Sequence, residues 1–192
     1  PPARVLLILV SHQPRRLLPA VLSRCRKLAL PQPDWDAALA WLRKQSVDDP
    51  ETLLREAGGA PLVALEYADK ERLERRKAFI DALAEADLLV LSGLGNVFQS
   101  RLDEAWGWLT RWVHDLVRIR EAGEARYFPE RIDTLRRIAA SADLEEMLLL
   151  EAELRGAGRW LRHPLNGQLL LESWLLRYGA LAQAKTSRGA HG

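Results

Sequence analysis

From residue 34 onward, the apolar residues of this chain have the spacing of α-helices. Apolar residues recur there every three or four positions, as in Leu39 and Leu42, or in the long stretch from 97 to 120. This spacing places them on one face of an α-helix. Hydrophobic residues make up 48% of the 192 residues, which is enough for one large domain or two small ones to bury a core. The sequence therefore predicts a mainly α-helical protein.

The overall composition excludes several classes of protein. The 28 basic and 26 acidic residues leave a net charge of +2, which disfavours a protein that coats nucleic acid but leaves a local basic face open. The single cysteine excludes a disulfide framework and fits a reducing compartment, so we expect a cytoplasmic protein. We expect no membrane partner, since no apolar run approaches the roughly 18 residues of a membrane span. The run at 5–10 lacks a signal-peptide pattern, and a proline at position 1 fits a fragment or a processed chain.

The first thirty residues have a different pattern. Residues 5–10 form a continuous run of valine, isoleucine and leucine, which predicts a strand buried on both faces, as in a parallel sheet. A short helix is predicted over 15–22 and a second small strand over 26–30. Pro31 and Pro33 then mark a boundary.

Three short helices are predicted between residues 34 and 68. Asp34 is a candidate N-cap, Pro50 and Pro61 are placed to begin the second and third helices, and Gly58-Gly59 ends the second. The residues expected to face their shared core are Trp35, Leu39, Leu42, Leu53, Leu54, Leu62, Leu65 and Ala68.

Longer helices are predicted after residue 70. Their expected ranges are 70–90, 97–120, 130–140, 142–157 and 164–182, with a loop over 92–96 and a disordered tail over 185–192. Trp106, Trp108 and Trp112 lie among leucines and valines, so we expect them in the core rather than in a base-stacking platform. The arginines from Arg111 to Arg137 alternate with acidic residues, which is typical of a solvated face.

The tripeptide Ser23-Arg24-Cys25 is the candidate functional motif. An arginine after a short helix is either solvated and favourable with the helix dipole, or a finger that stabilises charge on a transferring phosphoryl group. Cys25 is expected to be a small buried side chain rather than a nucleophile. Ser11 follows the predicted strand, where its hydroxyl could orient a nucleotide phosphate or cap the next turn.

Other sites are not supported by the sequence. Gly58-Gly59 lacks the lysine and the hydroxyl residue of a phosphate-binding loop and is interpreted as a turn between helices. His12, His114, His163 and His191 are scattered, so no zinc site is predicted. We therefore expect neither a metal site nor a cofactor site in this chain.

The order of these motifs resembles a known family. A strand ending in Ser11, then Leu17-Leu18-Pro19, then Ser23-Arg24-Cys25, and then three short helices, is similar to the end of the ATPase domain of bacterial AAA+ clamp-loader subunits. The ATP-hydrolysing gamma/tau branch carries an arginine in its third lid helix, where this chain has Pro61. The chain resembles instead the delta-prime branch of DNA polymerase III, also in its closing helix over 166–178.

The resemblance implies an architecture and a role. Residues 1–30 would be a short α/β remnant of an AAA+ ATPase domain, 31–69 a three-helix lid, and 70–184 a helical-bundle collar that mediates oligomerisation. The chain would be a non-hydrolysing structural subunit of the DNA polymerase III holoenzyme, not catalytic on its own.

The resemblance also assigns residues and partners. Arg24 would act as an arginine finger in trans, within the motif of Ser23 and Cys25, and Ser11 would be the sensor-1-like residue. ATP would be bound by the neighbouring subunit. The partners implied are the gamma/tau and delta subunits, with the sliding clamp and primed DNA reached indirectly. Two alternatives remain: an ATP-hydrolysing gamma/tau-type subunit, and a helical protein–protein adaptor unrelated to nucleotides.

Overall fold

Helices make up the regular structure of the residues that the structure describes. The computed structural model describes residues 5–11, 17–158 and 167–183. Its helices are α1 (Pro19–Leu22), α2 (Trp35–Lys44), α3 (Pro50–Glu56), α4 (Pro61–Glu66), α5 (Lys70–Glu85), α6 (Leu88–Val97), α7 (Leu102–Ala122), α8 (Ile132–Ser141), α9 (Leu144–Ala157) and α10 (Gly167–Gln183), with a 3-10 turn at Pro129–Arg131 before α8. The mainly α-helical class is confirmed. None of these helices is long and apolar enough to cross a membrane, as far as the described residues extend.

The chain divides into two compact units, Pro1–Gln32 and Pro33–Gly192. In the first unit the predicted strands are wrong: residues 5–11 and 26–30 take no strand conformation, and their apolar side chains are exposed. Leu6 and Val10, for example, are 83% and 84% exposed. A strand needs a second backbone to complete its hydrogen-bond ladder, and no described segment of this unit has strand geometry. The helix predicted over 15–22 is present as α1, while residues 12–16 lie outside the described residues.

The second unit begins with the three predicted short helices, α2 to α4. The Asp34 carboxylate accepts hydrogen bonds from the first backbone N–H groups of α2, and Asp49 caps α3 in the same way. Gly58 and Gly59 follow α3 with φ of 65° and 87°, a left-handed backbone that glycine adopts without strain. The buried residues of this small core are Ala38, Leu39, Leu42, Leu53, Leu54 and Ala64.

The predicted inward face of the third helix is wrong for Leu62 and Leu65 and correct for Ala68. Leu62 is 67% exposed and Leu65 is also exposed, whereas Ala64 is fully buried and Ala68, just after α4, packs against the small core. Trp35, expected in the same core, is 39% exposed. Since α4 has only six residues, less than two turns, periodicity alone does not determine which of its faces is buried.

Among the remaining helices, α5, α8, α9 and α10 pack against α7, while α6 packs against α10 and α5. Trp108 and Trp112 on α7 are fully buried, which confirms their assignment to the core. Trp106 is half-buried, and its indole N–H donates to the Leu154 carbonyl of α9 at 2.9 Å. The bounds differ from prediction in two places: α7 begins at Leu102, and Ala86 takes a left-handed conformation that separates α5 from α6.

The loop predicted over 92–96 is wrong, because these residues belong to α6. Close packing of α6 against α10 explains this result. A Cβ atom on Gly95 would lie 2.2 Å from Cγ of Glu172, and one on Gly179 would lie 2.4 Å from Cδ2 of Leu88. The glycines thus allow the two helices to approach closely, and that packing offsets the low helix propensity of glycine. The predicted disordered tail over 185–192 lies outside the described residues.

Candidate functional site

The Ser23-Arg24-Cys25 motif directly follows α1. Pro19 occupies the first turn of this helix. Backbone N–H groups in that turn have no acceptor within the helix, so the missing N–H of proline costs no hydrogen bond there. The Ser23 hydroxyl donates to the Ala20 carbonyl at 3.2 Å, and the Arg24 N–H donates to the Val21 carbonyl at 3.2 Å. These bonds extend the turn beyond the helix and fix the backbone of the motif.

The side chains of the motif face outward. Arg24 is exposed, and within residues 5–11, 17–158 and 167–183 its guanidinium has neither an ion pair nor a hydrogen bond. Among the described residues, nothing occupies the N–H donors of this guanidinium. Ser11 is also exposed, and its sensor-like role stays a prediction.

Cys25 is an exposed free thiol, so the prediction of a buried side chain is wrong. The reason is local: α1 has no buried residue, and residues 23–30 are all exposed. This segment therefore offers no apolar environment in which a small side chain could be buried.

A buried charged cluster that the sequence did not reveal lies between α3, α5 and α7. Glu56, the last residue of α3, is 3% exposed. Its Oε1 accepts a short hydrogen bond from Arg72 and one of 2.9 Å from the indole N–H of Trp108. Its Oε2 lies 2.8 Å from Nε of Arg76, an ion pair that lacks hydrogen-bond alignment. Arg111 donates to the Glu56 backbone carbonyl at 3.0 Å. We call these five residues the Glu56 cluster.

The three arginines control the ionisation of this carboxyl group. Burial raises the pKa of Glu56, but the charges of Arg72 and Arg76, with smaller help from Arg111, outweigh burial and hold that pKa below its ordinary value. The carboxyl group is thus a carboxylate at neutral pH, and it compensates part of a buried positive charge.

Aromatic rings complete the surroundings of the two arginines from α5. The guanidinium carbon of Arg72 lies 3.7 Å from the ring centroid of Tyr67 and 5.3 Å from that of Trp108. The guanidinium carbon of Arg76 lies 5.1 Å from the ring centroid of Phe128. Such contacts stabilise a partly desolvated cation. The sequence offers one signal for the cluster: Arg72 and Arg76 have helical spacing with the buried Leu83, so they share its inward face.

The solvated face predicted from Arg111 to Arg137 is only partly correct. Arg111 donates to α3, as described, and Arg120 donates to the Ala139 carbonyl of α8 at 2.7 Å. Carbonyls near the end of a helix lack an intrahelical partner, and arginine can satisfy them. Arg126 and Arg136 are exposed as predicted.

Other polar contacts connect α7 to the segments that follow it. The Asp115 carboxylate accepts hydrogen bonds from the backbone N–H groups of residues 126 to 128 at 2.8–2.9 Å. Burial raises the pKa of Asp115, although these three bonds oppose the shift. His114 pairs through Nδ1 with Glu151 at 2.7 Å, while His12, His163 and His191 lie outside the described residues. Within the part of the chain that is described, no three histidine, cysteine or acidic residues are grouped to hold a metal ion.

Large apolar side chains remain exposed on the outer surfaces of the last helices. Leu89 and Val97 of α6 are 84% and 70% exposed, and Leu169 and Leu176 of α10 are also exposed. Exposed large apolar side chains, where they lie next to one another, often mark contact with another protein.

Comparison with known proteins identifies the family. The family model described as the C-terminal region of the DNA polymerase III delta subunit matches residues 70–179. The DNA polymerase III subunit delta' of Pseudomonas aeruginosa is 32% identical over 125 residues, which cover 62% of this chain and 38% of the relative. The subunit delta' of Yersinia pestis is 30% identical over 197 residues, which cover 93% of this chain and 56% of the relative.

The chain thus spans between 38% and 56% of the length of these curated relatives. The matched region contains α5 to α9 and most of α10. The resemblance to the delta-prime branch is confirmed, and the chain belongs to the DNA polymerase III delta-subunit family through its C-terminal region.

Proposed function

We propose that the chain acts in a non-hydrolysing subunit of a bacterial replicative clamp loader and supplies Arg24 as an arginine finger to an ATP site on a neighbouring subunit. The observation that carries this proposal is the exposed guanidinium of Arg24, placed directly after α1 in the Ser23-Arg24-Cys25 motif and without an ion pair to any other described residue. The membership of the chain in the delta-subunit family supports it.

The proposed chemistry is electrostatic. A guanidinium is planar, carries its charge at all physiological pH values, and can donate two parallel hydrogen bonds to phosphate oxygens. Placed against the transferring phosphoryl group of ATP held by the neighbour, it would stabilise the transition-state charge. Ser23 would fix the turn that presents it, and Ser11 would be the sensor-like hydroxyl.

The proposed organisation assigns a task to each region. Residues 1–30 belong to an AAA+ ATPase domain, 31–69 form its lid, and 70–184 form a collar that packs beside the gamma/tau and delta subunits. The exposed leucines of α6 and α10 support such packing. The sliding clamp and primed DNA would be contacted through the assembled loader.

Pro61 argues against the ATP-hydrolysing alternative. It stands at the first position of α4, about where the gamma/tau branch carries the arginine that contacts nucleotide. A proline ring offers no donor to a phosphate, so we propose that this chain is not catalytic on its own.

The test uses the full-length protein assembled with gamma/tau and delta subunits. Arg24→Ala and Arg24→Lys should leave assembly intact on size exclusion and slow single-turnover hydrolysis at the served site by roughly 10³-fold or more. Arg26→Ala, which removes another exposed arginine from the same segment, is the matched control and should hydrolyse ATP normally.

Two outcomes would contradict the proposal. Near-normal DNA-stimulated hydrolysis with Arg24→Ala would remove the finger role. Failure of the wild-type protein to co-elute with gamma/tau and delta subunits would favour the helical adaptor instead.

A further inference from the structure

The second unit contains two separate apolar cores. One lies within α2–α4 and includes Leu42 and Leu54, and the other lies within α5–α10 around Trp112. Leu73 of α5 packs against the edge of the first core. Apart from Leu73, the apolar residues of the first core all come from residues 38–68. Apolar burial therefore stabilises each core internally but contributes little to fixing one core against the other.

The Glu56 cluster lies where the two cores meet. Glu56 comes from α3, on the side of the first core, and its partners Arg72, Arg76, Trp108 and Arg111 come from α5 and α7. The carboxylate is thus bonded to two helices of the second core. The Arg111 bond to the backbone of Glu56 adds a further link across the same boundary.

The charges of the cluster make the connection between the two cores dependent on the Glu56 side chain. Three guanidinium groups surround one buried carboxylate, and Nη1 of Arg72 is buried without a hydrogen-bond partner within the described residues. Removing the carboxylate would leave these cations facing one another in a poorly solvated site. Loss of one partner from a buried ion pair is strongly unfavourable for this reason.

We propose that the Glu56 carboxylate fixes α2–α4 to the collar helices, so that neutralising it frees the three-helix bundle to move as a folded body. The two cores remain intact because neither contains Glu56. The inference is independent of Arg24 and of the proposed clamp-loader role. Its consequence is that the two cores hold one fixed orientation while this carboxylate is charged and paired, and that the Arg111 bond to the Glu56 backbone and the packing of Leu73 do not fix it by themselves.

The experiment measures distances between the two cores in the full chain. Spin labels are attached to cysteines introduced at the exposed positions Lys44 of α2 and Glu121 of α7, in a Cys25→Ala background. Glu56→Gln keeps the shape of the side chain and removes its charge. We expect a narrow distance distribution for the unmodified cluster, and a broad or second population for Glu56→Gln.

Exchange of the Trp108 indole hydrogen provides a second readout, because that N–H donates to Glu56. It should exchange at least about a hundredfold faster in Glu56→Gln. Backbone amides within α2–α4 and within α7 should keep their protection, which distinguishes a freed bundle from an unfolded one.

The matched control is Glu51→Gln on the same helix. Glu51 also pairs with an arginine, Arg55, at 2.9 Å, but it is exposed, and an exposed pair contributes little. This control should leave both readouts unchanged. Arg72→Met removes the other side of the central pair and should broaden the distribution as Glu56→Gln does.

The result that overturns the proposal is a distance distribution that stays narrow in both Glu56→Gln and Arg72→Met. Loss of amide protection throughout α2–α4 in these variants would also overturn it, because the bundle would then depend on the cluster for folding rather than for its position.

Discussion

Tyr178 of α10 offers the sharpest test of how α5, α7 and α10 are held together. Its hydroxyl is fully buried, donates to the Leu83 carbonyl at 2.6 Å and accepts from the indole N–H of Trp112 at 2.9 Å. Leu83 lies in the last turn of α5, so its carbonyl is one of those without an intrahelical partner. One oxygen atom thus connects α10 with both α5 and α7, and burial raises the pKa of this phenol well above its ordinary value.

Replacing Tyr178 with phenylalanine removes only that oxygen. The donated bond to Leu83 contributes about 1 kcal/mol, and the Trp112 indole N–H, left buried without an acceptor, costs about 1–3 kcal/mol. We therefore expect Tyr178→Phe to lower the free energy of unfolding by about 2–4 kcal/mol. The ring itself remains in the core, so no cavity of a whole side chain contributes to this figure.

Urea unfolding followed by far-UV circular dichroism measures the change. Tyr127→Phe is the matched control, since Tyr127 is only half-buried and its hydroxyl has no hydrogen bond within the described residues. It should change stability by less than about 0.5 kcal/mol. The reasoning is refuted if the two variants are equally stable while the slope of the unfolding transition is unchanged.

Three further predictions concern packing and charge. Gly93→Ala should stabilise α6 by about 0.5–1 kcal/mol, because the Cβ of the new alanine would meet nothing within 4 Å. Gly95→Ala should give no such stabilisation, since its Cβ would clash with Glu172. Thermal unfolding of the two variants measures the difference. Asp115→Asn should cost about 2 kcal/mol in urea unfolding, because an amide oxygen and an NH2 group cannot accept all three N–H bonds. The lowered pKa of Glu56 means that its ionisation stabilises the folded state above the ordinary value of 4.5. The stability difference between wild type and Glu56→Gln should therefore shrink as the pH falls below 4.5, as measured by urea titrations at several pH values.

The helices were predictable because their signals are local. Asp34 caps α2 through its side chain, and Pro50 and Pro61 fit the first turns of α3 and α4. Leu39 and Leu42 of α2 have the spacing of one face of a helix. The same holds for Trp108 and Trp112, since a long amphipathic helix such as α7 has one strongly apolar face.

Two of the errors have their physical origin in pairing or packing with a distant segment. Gly95 favours a loop by propensity, yet its lack of a side chain is what lets α6 pack against α10. Residues 5–10 have the composition of a strand, but a strand forms only where a second backbone pairs with it.

Of the two candidate sites, one could be predicted from the sequence and the other could not. Arg24 could be singled out from its tripeptide and its place in the order of motifs, and it is exposed as an arginine finger requires. The Glu56 cluster could not be predicted from the sequence. Whether a glutamate can be buried depends on which arginines the fold places beside it, and here Arg72, Arg76 and Arg111 come from distant parts of the chain.

Crosslinking from position 24 shows which surface the side chain at this position contacts. A photoreactive amino acid in place of Arg24, in the full-length subunit assembled with gamma/tau and delta subunits, labels whatever that side chain touches. We predict a crosslink to the nucleotide-binding face of a neighbouring ATP-hydrolysing subunit, and a stronger one in the presence of ATP. Crosslinks confined to the subunit's own chain, with or without ATP, would contradict this prediction.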